Sequence, residues 1–92
     1  MLREKYPGVW YKIHGGPYQE AGIPDIIGCY KGYFIAFEVK RPNKRSNVSV
    51  RQGYQMDRLD REGAFVGVIT STQEAKEAMT LFKLQHEELE KP

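Results

Sequence analysis

A single cysteine, Cys29, occurs in 92 residues, so the chain has neither an intramolecular disulfide nor a cysteine zinc cluster. No apolar run approaches the roughly 20 residues that a membrane-spanning helix needs, and the opening residues lack the pattern of a signal peptide. The expectation is an intracellular, cytoplasmic and reducing location with no membrane contact. Cys29 stands among apolar residues of a predicted strand, where a thiol is expected to be buried and inert. Internal repeats and low-complexity segments are also missing. Net charge is small, +2 from 14 Lys+Arg and 12 Asp+Glu, but it is unevenly spread. Residues 1–51 carry nine Lys/Arg against four Asp/Glu, whereas residues 52–92 carry five against eight. A polyanionic partner suits the basic half; an ordinary solvated surface is the plainer reading.

The length is that of one small domain, 1–92, with a modest core. Residues 1–8 are polar and close on Pro7-Gly8, which suggests the end of a short helix. Val9 to Ile13 is rich in β-formers and reads as a first strand. His14-Gly15-Gly16-Pro17 breaks it, and a loop runs on to Gly22. Ile23-Pro24-Asp25 is extended because the residue before proline avoids the helical region. Ile26–Tyr30 and Tyr33–Lys40 then form two strands joined by a Lys31-Gly32 turn.

In the third strand Tyr33, Ile35, Phe37 and Val39 share one face, and Phe34, Ala36, Glu38 and Lys40 the other. Both faces stay apolar until the end, as expected of a sheet covered on two sides. Arg41–Asn47 is a basic loop. Ser49 caps a helix from Val50 to Glu62, on which Gln52, Met56, Leu59 and Gly63 fall on one inward face. Gly63 ends it. Ala64–Thr70 is a fourth strand, and Ser71 or Thr72 caps a final helix to about Leu89, with Ala75, Ala78, Met79 and Phe82 as its buried stripe and Leu89 a candidate to extend it. The order (α)βββαβα predicts an α/β domain, a small mixed β-sheet flanked by helices.

The chemistry lies in two short strings. Pro24-Asp25 precedes Glu38-Val39-Lys40, and thirteen positions separate the two acids, the span of a hairpin. Glu38 and Lys40 point to the same side of their strand. If Asp25 opens the neighbouring strand, all three converge at one end of the sheet. Two carboxylates suit a hard divalent cation, and a lysine beside it can orient water or stabilise charge on a phosphate. This pattern reads as metal-dependent phosphodiester hydrolysis. Gln52, on the first turn of the following helix, is placed to reach the same end.

Gly22-Ile23-Pro24-Asp25, Glu38-Val39-Lys40 and Ser49-Val50-Arg51-Gln52 together resemble the VRR-NUC (virus-type replication-repair nuclease) family of the PD-(D/E)xK nuclease superfamily. The likeness runs over roughly residues 9 to 75 and includes Gly63 and the strand after it. The resemblance implies a restriction-endonuclease-like core. It makes Asp25 and Glu38 ligands of Mg²⁺ or Mn²⁺, with the Val39 carbonyl facing the metal, Lys40 the catalytic lysine and Gln52 a helper that orients water or Lys40. Short standalone members resemble homodimeric junction resolvases, which implies a homodimer acting on four-way or otherwise branched DNA. Members carry a longer helix before the first strand, with a further acid. Eight residues precede Val9 here, and Glu4, or Glu20 in the loop before Asp25, is the candidate for that acid.

Arg41, Lys44, Arg45 and Arg51 adjoin the site and are candidates for backbone-phosphate binding, with His14 beside two glycines that let DNA approach. A small sheet with open edges and 12% aromatic residues also favours pairing of two copies. His86 is expected to face solvent, and Trp10, Tyr11 and Tyr18 to pack in core or loop rather than stack on bases. The leading expectation is a metal-dependent endodeoxyribonuclease in replication, recombination or repair. The alternatives are a non-catalytic DNA-binding module of the same fold, and an interaction domain in which Glu38 and Lys40 form an internal ion pair.

Overall fold

In a computed structural model of the chain, residues 7–14, 21–44 and 47–90 are described, 87–90 by their backbone alone. Glu4, Glu20, Arg45, Tyr18 and the side chain of Leu89 lie outside the described residues, as does most of the helix expected before Val9. The elements are β1 (Val9–Lys12), β2 (Ile26–Tyr30), β3 (Tyr33–Val39), a 3-10 turn (Pro42–Lys44), α1 (Val50–Arg61), β4 (Phe65–Ile69) and α2 (Thr72–Glu90). The described residues thus form a small α/β protein with a four-stranded mixed sheet and two helices, in the order βββαβα.

The sheet runs β1-β2-β3-β4. β1 and β2, and β2 and β3, pair antiparallel; β3 and β4 are parallel, as the intervening helix α1 permits. Lys31 and Gly32 join β2 to β3 with φ of 50° and 86°. Two successive left-handed residues follow the twist of the strands on either side.

Side-chain alternation divides the sheet into two unlike faces. On one, Trp10, Ile35, Phe37 and Ile69 form the core with Ala75, Met79 and Phe82 of α2. Trp10 stacks on Phe37, with ring centroids 6.3 Å apart, and its indole N–H donates to the Pro7 carbonyl at 3.0 Å. Gly28 lies opposite Trp10, and any side chain there would strike the indole ring. α2 starts as expected from Ser71, whose hydroxyl accepts from Glu74 N–H at 3.1 Å.

The other face carries Ala36 and Glu38, and α1 packs against it near β4. It is only half covered. Val9, Cys29 and Phe34 pair in one cross-strand row at the hairpin end, and all three are exposed. Cys29 is therefore exposed rather than buried: α1 packs beside β4, reaching β3 at Glu38, and leaves this row open. Tyr11 is likewise 59% exposed, so it is not a core residue. His86 departs from expectation in the opposite sense. It stacks on Phe82 at 4.0 Å and meets Tyr33 edge-on at 5.0 Å, with its Nδ1 2.9 Å from the Phe82 carbonyl oxygen.

On α1 the buried residue is Gln55, with Gln52, Met56 and Leu59 half-buried beside it and Gly63 exposed. The inward face is thus 52, 55, 56 and 59, one helical stripe.

Candidate active site

Strand directions bring several segments to one end of the sheet. Lys12 pairs with Ile26, Ile26 with Phe37, and Val39 with Ile69. The ends of β1, β3 and β4 and the start of β2 therefore coincide, and both helices begin from that end. Continuing the β2–β3 register by one position sets Asp25 beside Glu38. Across the next strand, Ile13 N–H donates to the Asp25 carbonyl at 2.7 Å, which brings the chain at His14 to the same end.

Asp25 is positioned by what precedes it. Gly22 has φ of +84°, and a Cβ there would sit 2.6 Å from the Arg51 carbonyl oxygen. Only glycine allows both that backbone conformation and that approach. The loop is thus seated on the first turn of α1, and Gln55 reinforces it by donating to the Ala21 carbonyl at 3.4 Å. Pro24 is fully buried behind it. The Asp25 carboxylate then turns inward, and its Oδ2 accepts the Val39 N–H at 2.8 Å.

Glu38 is 2% exposed. Its Oε1 accepts from Gln52 Nε2 at 2.9 Å, whereas its Oε2 is buried without a hydrogen-bond partner. Burial first, and then the neighbouring Asp25 carboxyl, push Glu38 from 4.5 up to about 8; the Lys40 charge acts against them. Asp25 lies close enough to raise Glu38 by carboxyl contact and by charge, yet no ordinary hydrogen bond satisfies Oε2. Like-charged groups this close share a site well only if a proton or a cation lies between them.

Gln52 has two functions at once. Its backbone N–H donates to Ser49 Oγ at 3.1 Å and its Oε1 accepts from Ser49 N–H at 3.0 Å, a reciprocal capping box. The remaining amide end goes to Glu38. Gln52 therefore addresses Glu38 directly, whereas the expectation from sequence is that it orients water or Lys40. Lys40 follows β3 on the Glu38 side, half-buried, and its N–H donates to the Ile69 carbonyl at 2.9 Å. Val39 is the last residue of β3.

His14, Arg41, Lys44 and Arg51 are all exposed. Arg41 directly follows Lys40, and Arg51 directly precedes Gln52. These basic side chains face solvent, in contrast to the buried Glu38 and half-buried Asp25. A hollow of about 440 Å³ lies elsewhere, along α1, lined by Gln55, Arg58, Leu59, Arg61 and Glu62.

The donor set suits a hard divalent cation. Two carboxylates offer oxygen, and one buried oxygen has no partner besides the neighbouring Asp25 carboxyl. Among the described residues, no third His, Cys, Asp or Glu joins them. Sequence reasoning missed Gln55, because a glutamine does not register in an apolar stripe. It noticed the Ser49 cap but not that the cap and the acid share one side chain. Compared with known proteins, the chain matches no family model and no curated protein.

Proposed function

We propose that this domain is a metal-dependent DNA endonuclease, hydrolysing phosphodiester bonds in branched or structured DNA such as a four-way junction, in replication, recombination or repair. The observation that carries this reading is the buried, unpartnered Glu38 Oε2 beside the Asp25 carboxyl, at a sheet end bordered by exposed basic side chains. Burying a carboxylate without a partner is costly, and a structural ion pair would have placed Lys40 on that oxygen.

Asp25 and Glu38 would hold Mg²⁺ or Mn²⁺, with the Val39 carbonyl as a further oxygen. When bound, such an ion lowers the pKa of a coordinated water and neutralises charge on the phosphate. Gln52 holds Glu38 in place, and the Asp25–Val39 hydrogen bond holds Asp25 against the same strand. Lys40, on the Glu38 side of the strand, supplies a positive charge for the phosphate oxygens as they gain charge. Arg41, Lys44, Arg51 and His14, together with Arg45, would grip the backbone on either side of the cut. Two copies are needed to cut opposing strands of a junction, and the exposed β1 edge and the apolar row of Val9, Cys29 and Phe34 offer surface for a homodimer.

The test is cleavage of a labelled four-way junction and a matched linear duplex in Mg²⁺ or Mn²⁺, wild type beside Lys40→Ala. Metal-dependent cutting of the junction, lost in the variant, is the expected result. Binding of DNA by both proteins with no product from either substrate would replace the nuclease with a DNA-binding module of the same fold.

A further inference from the structure

We propose that Ser49, the residue that starts α1, is a positioning residue of the carboxylate site: its backbone N–H decides which end of the Gln52 amide meets Glu38. The inference rests on reading Asp25 and Glu38 as a metal site and adds to it a residue that is not itself a ligand.

A primary amide has one accepting and one donating end of nearly equal shape, and the surroundings choose between its two orientations. Ser49 N–H can only donate, and it lies 3.0 Å from Gln52 Oε1. The oxygen is thereby committed, and Nε2 is left facing Glu38 Oε1 at 2.9 Å. A reversed amide would set NH₂ against the Ser49 N–H and an oxygen against the carboxyl, two repulsions in place of two bonds.

The residue type at 52 follows from the same geometry. Glutamate is the other usual third-position partner in a capping box. It would satisfy Ser49 equally well, but would bring a further carboxylate against Glu38. Glutamine is the side chain that accepts from the cap and donates to the acid. One oxygen of each acid is then held by the protein, Glu38 Oε1 by Gln52 and Asp25 Oδ2 by Val39. Partners of this outer kind orient metal ligands and are worth about tenfold or more in metal affinity when removed.

Ser49 also permits a clean perturbation. Its φ is −68°, a value proline adopts without strain, so Ser49→Pro removes the N–H while keeping the backbone angle. Ser49→Ala removes the hydroxyl and keeps the N–H. If Ser49 served helix capping alone, both variants would weaken the helix and leave the Gln52 amide alike. Positioning by the N–H requires them to differ.

The experiment follows the Gln52 side-chain NH₂ signals by ¹⁵N NMR and measures Mn²⁺ affinity in the full chain. In the wild type the NH₂ protons should exchange slowly and sit away from the free-glutamine position. Ser49→Pro should return them to that position and weaken Mn²⁺ binding about tenfold, with Ser49→Ala and Ser49→Thr staying near wild type on both readouts. Gln52 NH₂ protons that exchange like a free amide in the wild type would overturn the proposal without any variant. So would identical NH₂ signals in the proline and alanine variants. The metal reading fails separately, if the wild type binds no Mn²⁺ or if Asp25→Asn binds it equally well; the NH₂ signals still decide the role of Ser49.

Discussion

The two faces of the sheet are written by alternate residues of the same strands, and they differ in almost every physical respect. Phe37 and Glu38 are adjacent in sequence and equally hidden, at 0% and 2% exposure. Phe37 points into an aromatic core closed by α2, where its ring meets Trp10 and Phe65, and Phe65 in turn meets Phe82. Glu38 points toward α1, which leaves the far half of its face open, and one of its oxygens has no partner. One face therefore holds the fold together. The other places a costly group in a position that only the first face can support. An apolar core on one face and a buried acid on the other is a division that a two-sided sheet makes available to a chain this short.

The sharpest way to break this comparison is to weaken the closed face. Phe37→Ala should cost about 3–5 kcal/mol by urea unfolding, a large part of the roughly 5–15 kcal/mol typical of a domain. A loss below about 1 kcal/mol would mean that Phe37 is not a core residue. Next in size is the pH dependence of the open face. An unfolded glutamate gives up its proton near 4.5, whereas folded Glu38 keeps it to about 8. Its contribution is therefore fully present below about 4.5 and is lost as pH rises to about 8. In chelator, stability should fall steadily across that window. Glu38→Gln should flatten the slope, and Mn²⁺, which favours the ionised carboxylate, should oppose it. A wild type whose stability is level from pH 5 to 8 in chelator would remove the buried acid from the picture. The smallest effect belongs to the uncovered row. Cys29→Ser should change stability by no more than about 0.5 kcal/mol, and the thiol should react with a maleimide in the folded protein. A thiol that reacts only after unfolding would show the row to be covered, by a second copy or otherwise.

What could be read from the sequence follows the same division. β3 was legible from its run of aromatic and branched residues, the β2–β3 hairpin from Lys31-Gly32, and α1 from Ser49 and Gly63, because each signal is local. The convergence of Asp25 with Glu38 was legible too, since hairpin length and strand alternation are enough to place them. The rest depends on which element covers which row. Cys29 and Tyr11 carry the composition of core residues, but no local signal tells that α1 stops short of them. His86 looks like a surface histidine until Phe82 and Tyr33 are found beneath it. Gln55 belongs to the inner stripe of α1 on spacing alone, yet its polarity hides it. The identity of Gln52 was noticed, but its target was not, because a hydrogen bond to Glu38 depends on how a helix start meets a strand end.

The seating of Gly22 on α1 has a consequence for how freely the chain can be edited. The connection that leaves β1 is fastened at Ile13, through the Asp25 carbonyl, and again at Gly22, against Arg51. An insertion between those two fastenings would leave both of them in place. Insertions there face only the slow growth of loop-closure cost, about 0.6 kcal/mol for each doubling of length. Lengthening the chain between residues 14 and 21 should therefore leave Asp25 on the Val39 N–H, so that the carboxylates keep their places while the connection beside them grows.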